Sequence, residues 1–268
     1  MQLNSLGYRT DLIFARFDGI VEDLGDAIRI RNPRNPDHYY GNLLVFDRPP
    51  RPGDLPEWEQ RFAECIGVPP EVKHRLFGWD APDGTTGEID EFLEAGYTLD
   101  RSVVMTAERL HPPRRPNLEA ELRPLRSDED WALALENQIA CREARWDEDS
   151  YRPFKERQMR RYREMAEAGR GAWFGAFLDG RVVADMGIFS DGELARYQAV
   201  GTHPDYRGRG LCGTLVHFVG EYARRELGVA RLVIVADDHY FAKDIYRAVG
   251  FEPVEYQASL LRSRSSGE

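Results

Sequence analysis

The sequence predicts a layered α/β protein built from two related units in tandem. Segments with strand-like and helix-like periodicity alternate along most of the chain. The two halves also end alike. Phe92-Leu93-Glu94-Ala95-Gly96-Tyr97 runs into a strand-like stretch ending at Ala107, and Tyr246-Arg247-Ala248-Val249-Gly250-Phe251 runs into another ending at Leu261. Between the halves, His111-Pro112-Pro113-Arg114-Arg115-Pro116 has three prolines in six residues, the signature of an extended linker. The expected division is therefore a first unit over residues 1–110, a linker over 111–117, a second unit over 118–262 and a disordered tail over 263–268. Chance likeness of the two endings stays open, because glycine is a common helix stop.

In the first half, residues 12–17 read as a strand, and residues 27–31 alternate at strand period. Asn32-Pro33-Arg34-Asn35-Pro36 breaks the chain. Residues 39–46 form an apolar strand candidate. A helix over 55–66 is entered through Pro56, which the first helical turn tolerates. A strand over 74–79, a helix over 88–95 stopped by Gly96, and a strand over 101–107 complete the half.

In the second half, Ser127 and Asp130 form a capping box at a helix start, and Trp131, Leu135 and Ile139 share one face of that helix. A longer helix covers residues 151–168. Asp179-Gly180 lies between two apolar runs and marks a tight hairpin. A strand over 194–202 leads into Arg207-Gly208-Arg209-Gly210, and the next helix carries the stripe Leu211, Leu215, Phe218, Val219 and Tyr222. Residues 229–236 are almost wholly apolar, as in a strand buried on both faces. A helix over 240–249, stopped by Gly250, and a returning strand over 251–261 end the pattern.

The chain has 268 residues, 42% of them hydrophobic, which is enough for a substantial core. Its net charge of −10 disfavours nucleic acid as a partner and favours basic substrates such as amines, although an acidic surface also simply keeps a protein soluble. Cys65, Cys141 and Cys212 are few, odd in number and widely spaced, which argues against a disulfide framework or a zinc site. With no signal-like start and no membrane-length apolar run, the expected setting is the cytoplasm, as a monomer or homodimer.

The chemistry concentrates in Val200-Gly201-Thr202-His203-Pro204-Asp205-Tyr206-Arg207-Gly208-Arg209-Gly210-Leu211-Cys212-Gly213-Thr214. Glycines at a strand-to-helix turn let a ligand approach the backbone, and the unpaired N–H groups of the first helical turn attract anions, phosphate above all. No Gly-Lys-Ser/Thr follows, so a nucleotide P-loop does not fit. The first half has no counterpart of this loop.

This stretch resembles the pyrophosphate motif of the GNAT acetyltransferase superfamily, Gln/Arg-x-x-Gly-x-Gly/Ala, with Arg207 and Gly210 in the first two fixed places and Cys212 where Gly or Ala is usual. Asp237-Asp238, Ala242, Tyr246 and Gly250-Phe251 resemble the family's second motif. The resemblance is close over residues 118–262 and loose over 40–107. It implies a mixed, mostly antiparallel central sheet flanked by helices, acetyl-CoA as cosubstrate, and transfer of an acetyl group to an amine acceptor. It implies that Ala199, Val200 and Thr202 bind the pantetheine arm beside a splayed strand. It places the pyrophosphate on Arg207, Gly208, Arg209, Gly210, Leu211, Cys212, Gly213 and Thr214, with Asp238 and Ala242 nearby. Tyr246 matches the family's usual acid, against the alternative of a core tyrosine. Glu193 and Asp191 stand where bases often sit, against the alternative of a solvated turn. Asp185, a carboxylate inside an apolar strand, is a third candidate for catalysis, and if buried it needs a partner or a raised pKa. His203 reads as structural, His239 as a helix cap and Cys212 as a small filler. The arginines at 157, 160, 161 and 163 are a solvated helix face or a contact for an acidic acceptor. A non-catalytic acyl-CoA-binding module remains the alternative to an enzyme.

Overall fold

The computed structural model describes residues 1–144, 146–239 and 241–263. Two compact units form. One holds residues 1–104, 236–238 and the chain from Val254 onward; the other holds 105–235 and 239–253. The proline-rich segment at 111–116 thus lies within the second unit, while the final strand lies in the first.

In the first unit, α1 (Leu6–Asp18) occupies the stretch where residues 12–17 read as a strand. Extending the window back to the N-cap shows why. The Ser5 hydroxyl accepts from the Tyr8 N–H, and the buried Tyr8, Leu12 and Ala15 recur at helical spacing. β1 (Ile20–Asp23) and β2 (Ala27–Arg31) follow, then β3 (Leu43–Phe46). Residues 39–46 do not form one strand: Tyr39–Gly41 is a 3-10 turn, and Asn42 ties the loop down by donating to the Asn35 and His38 carbonyls. α2 (Asp54–Cys65), β4 (His74–Trp79), α3 (Asp90–Glu94) and β5 (Thr98–Ala107) complete the half. The strand order is β1-β2-β3-β4-β11-β5, with β11 (Glu252–Ser263) antiparallel to β4 and β3 parallel to β4. Phe46, Trp58, Phe62, Phe77, Phe92 and Tyr97 form its aromatic core. Of the expected tail, Ser263 ends β11 and residues 264–268 lie outside the described residues.

The second unit runs β6 (Glu121–Pro124), α4 (Asp128–Ala140), α5 (Glu148–Glu167), β7 (Gly171–Leu178), β8 (Arg181–Ser190), β9 (Leu194–Thr202), α6 (Leu211–Glu226), β10 (Arg231–Asp237) and α7 (Ala242–Ala248). Its strand order is β10-β9-β8-β7-β6, antiparallel except for the parallel pair β9–β10. The mixed, mostly antiparallel sheet flanked by helices is therefore present. The capping box on α4 forms with both hydrogen bonds, and Asp179 and Gly180 turn the β7–β8 hairpin with φ of 49° and 75°. Tyr240, expected to open α7, lies outside the described residues.

Candidate active site

The expected loop is a strand-to-helix turn with an open helix start. Gly208 and Gly210 both take left-handed conformations, φ 78° and 76°. Gly210 is the N-cap of α6 and offers no side chain to cap it. A Cβ there would come 2.3 Å from the Arg115 carbonyl oxygen, whereas one at Gly208 would meet nothing. The linker end thus packs on the loop. The Asn117 side chain donates to the Arg209 carbonyl at 3.1 Å, and its backbone N–H donates to the Thr214 hydroxyl at 2.9 Å. Proline-rich composition gave no sign of that role for Asn117. The Arg207 Nε donates to the Thr202 carbonyl at 3.3 Å, and the Arg209 guanidinium lies 5.0 Å over the Tyr206 ring.

Beside the loop, β9 leaves β10. Their parallel ladder runs Leu194↔Arg231, Ala195↔Leu232, Arg196↔Val233, and among the described residues it goes no farther. On its other side β9 carries a bulge. Gln198 faces Gly187 and Gly201 faces Asp185, so β9 spends one extra residue across Ala199–Val200. Ala199 sits there at φ 48°, a left-handed conformation that costs a non-glycine residue about 1–2 kcal/mol.

Tyr246 is buried on α7. Its ring centroid lies 6.4 Å from that of Phe251, which lies 5.6 Å from that of Tyr197, the first residue of β9 beyond the ladder. α7 packs on the first turn of α6, since a Cβ at Gly213 would touch Ile245 at 3.5 Å. α7, which carries Ala242 and Tyr246, therefore lies beside the start of α6, and Phe251 links Tyr246 to Tyr197 on β9. Asp238 clusters with the first unit, where its N–H donates to the Arg101 carbonyl at 3.1 Å.

Glu193 and Asp191 occupy the exposed β8–β9 turn, where the Asp191 carboxylate accepts from the Glu193 N–H at 3.0 Å. Six residues of extended strand, about 20 Å, separate Glu193 from Ala199. Asp185 is wholly buried and its oxygens are already taken: Oδ1 accepts from Asn137 (2.6 Å) and Gln138 (2.9 Å), Oδ2 from the Trp173 indole (2.8 Å). Its environment holds Asn137, Gln138 and Lys155, polar residues of α4 and α5 that no sequence motif marks. Burial raises the Asp185 pKa to about 7 against those three hydrogen bonds, and lowers that of Lys155 to about 8. Burial also pushes the Cys212 and Cys141 thiols up to about 12, so neither is a ready thiolate. Of the arginines on α5, Arg161 is buried, and Arg163 pairs with Asp128 and Glu167.

Residues 136–251 match the family model described as Acetyltransferase (GNAT) family. Among solved structures, the chain is similar to a functionally unknown conserved protein from Staphylococcus epidermidis, at TM-score 0.72 and 15% identity over 92% of this chain and 95% of that one. It is similar to a GCN5-related N-acetyltransferase from Kribbella flavida, at TM-score 0.65 and 15% identity over 98% and 97%. A tandem GNAT protein from the clavulanic acid biosynthesis pathway matches at TM-score 0.56 and 13% identity over 96% and 88%. At these identities the likeness is one of fold. No curated protein matches the chain. Residues 136–251, which include the β9–α6 loop and α7, thus match the Acetyltransferase (GNAT) family model, and the chain shares its fold with GNAT proteins.

Proposed function

We propose that the second unit is an acetyl-CoA-dependent N-acetyltransferase acting on an amine of a small molecule or peptide by direct attack, and that the first unit is a degenerate copy. The observation that carries this reading is the opening between β9 and β10 beside an α6 start left uncapped by Gly210. Backbone groups at Ala199, Val200 and Thr202 suit an amide-bearing arm lying as an added strand. The turn and first helical residues, Arg207, Gly208, Arg209, Gly210, Leu211, Cys212, Gly213 and Thr214, suit a pyrophosphate through N–H groups and the helix dipole. The residues present fit acetyl-CoA, which supplies a thioester open to attack.

In this reading the amine forms the new amide bond, the thiolate departs, and the amine's proton leaves to water. Tyr246 donates its phenolic proton to the departing sulfur. The raised thiol pKa values favour direct attack over a cysteine-bound acyl group. Asp185 acts by holding its neighbours, not by meeting the substrate. The test is thiol release with a panel of amines. Tyr246→Phe is expected to lower kcat about 100-fold with the acetyl-CoA Kd within twofold. Acetyl-CoA binding without turnover on any amine, and no effect of that change, would instead indicate a non-catalytic acyl-CoA-binding module.

A further inference from the structure

The strained bulge at Ala199 is held from one side by a single side chain. Gln138 Nε2 donates to the Ala199 carbonyl at 2.7 Å and to Asp185 Oδ1 at 2.9 Å. Gln138 Oε1 lies 3.4 Å from the Lys155 ammonium, which also donates to Gln158 Oε1 at 2.7 Å. Lys155 is 5% exposed and Asp185 0%. The ammonium carries only donors and the carboxylate only acceptors, so the amide has one workable orientation. Reversed, it would turn its NH2 group toward the ammonium and its oxygen toward both the carboxylate and the Ala199 carbonyl. Lys155 and Asp185 are not in direct contact within ion-pair distance; the Gln138 amide joins them.

The approach of α4 to β9 is built for this contact. A Cβ on Gly201 would come 3.1 Å from Gln138 Nε2 and 3.3 Å from both Asp185 Oδ1 and Cys141 Sγ. Gly201 therefore lets the amide reach the sheet. The lysine is further held near the faces of Tyr151 (5.4 Å) and Phe154 (5.5 Å). A buried charged pair is a poor source of net stability. Its arrangement around one amide that grips a left-handed alanine points to geometry as what it supplies.

We propose that Gln138 is a positioning residue for acyl transfer, fixing the Ala199–Val200 bulge through the Ala199 carbonyl while Asp185 and Lys155 fix the Gln138 amide. The proposal rests on the acetyltransferase reading of the β9–β10 opening, since it is the backbone there that the bulge aims. It assigns α4 a part in setting the acyl end of the site, while the pyrophosphate end is set by the α6 loop.

The test compares wild type with Gln138→Glu, which keeps the volume and the acceptor toward Lys155 but loses both donors, and with Gln138→Met, which loses the polar contacts altogether. Crystal structures of folded variants are expected to show Ala199 leaving the left-handed region. Titration calorimetry is expected to give a CoA Kd raised by no more than about threefold, because the pyrophosphate end on the α6 loop is untouched while the arm beside the moved bulge loses contacts. Turnover of acetyl-CoA is expected to fall by about tenfold to 100-fold in kcat with KM changed less than threefold, the loss that follows a small displacement of reacting groups. Ala199 unmoved in both variants, or moved with kcat intact, would overturn the proposal. Wild type that fails to bind acetyl-CoA would overturn the acetyltransferase reading and the catalytic half of this one. In that event Ala199 still reports whether Gln138 holds the bulge.

Discussion

At the scale of single residues, the buried Asp185–Lys155 pair sets a pH signature. Asp185 has its pKa raised to about 7 from 3.8, and Lys155 has its lowered to about 8 from 10.5. A carboxyl whose pKa rises on folding favours the folded state while protonated. That contribution is full below about pH 4 and is lost as pH climbs to about 7. A lysine whose pKa falls on folding favours the folded state while neutral. That contribution is full above about pH 10.5 and is lost as pH falls to about 8. Between about pH 7 and 8 both groups are charged, and the pair supports folding least. Urea unfolding at pH 5 and pH 7 checks this: the stability of wild type relative to Asp185→Asn is expected to drop by about 2 kcal/mol over that interval. An unchanged difference would mean that Asp185 titrates near its ordinary value.

At the scale of elements, two glycines two positions apart can be separated by role. Gly208 and Gly210 share a left-handed conformation, so alanine at either costs about 1–2 kcal/mol of backbone strain. Only at Gly210 would the new Cβ also run into the Arg115 carbonyl, at 2.3 Å. Gly210→Ala is therefore expected to lower Tm more than Gly208→Ala and to weaken acetyl-CoA binding at least tenfold, because the clash displaces the start of α6 as well as the linker. Thermal unfolding and titration calorimetry of the two variants side by side make the comparison. Equal effects would show that strain alone acts and that the linker does not brace the loop. The α4 capping box belongs to the same scale, since it fixes the start of the helix that delivers Asn137 and Gln138.

At the scale of the molecule, one pattern recurs along the chain: β3-α2-β4-α3-β5 in its first half and β9-α6-β10-α7-β11 in its second, although β11 itself joins the sheet of the first unit. In each, the crossover helix joins a parallel strand pair and starts at a left-handed glycine, Gly53 or Gly210, without a side-chain cap. In each, the next helix ends the same way. The Tyr97 N–H reaches the Phe92 carbonyl at 2.9 Å, and the Phe251 N–H reaches the Tyr246 carbonyl at 3.1 Å, past Gly96 and Gly250 in left-handed conformations. The difference lies at the helix start. On α2, the Glu91 carboxylate accepts from the Gly53 and Leu55 N–H groups at 3.0 and 3.2 Å, so the unit's own side chain fills the place an anion would take. Calorimetry is accordingly expected to give one acetyl-CoA per chain, and a second site would show that α2 releases Glu91 to admit phosphate.

Much of this was legible in the sequence because it depends on neighbours along the chain. The Asp179-Gly180 hairpin, the Ser127 capping box, the glycine loop and the paired helix endings are local, and local chemistry writes itself into residue order. The α1 stretch reads as a strand over residues 12–17 because a six-residue apolar window cannot separate the two periods until the N-cap is included. Three features lay beyond any window: the Arg115 carbonyl against Gly210, the extra residue in β9 at Ala199, and Gln138 joining Lys155 to Asp185. Each is a meeting of segments remote in sequence or a matter of strand register. The sequence by itself determined which residues have the chemistry to bind a phosphate or give up a proton. Only the tertiary structure decided which of them meet, because burial and register, which set pKa values and distances, arise when the elements pack.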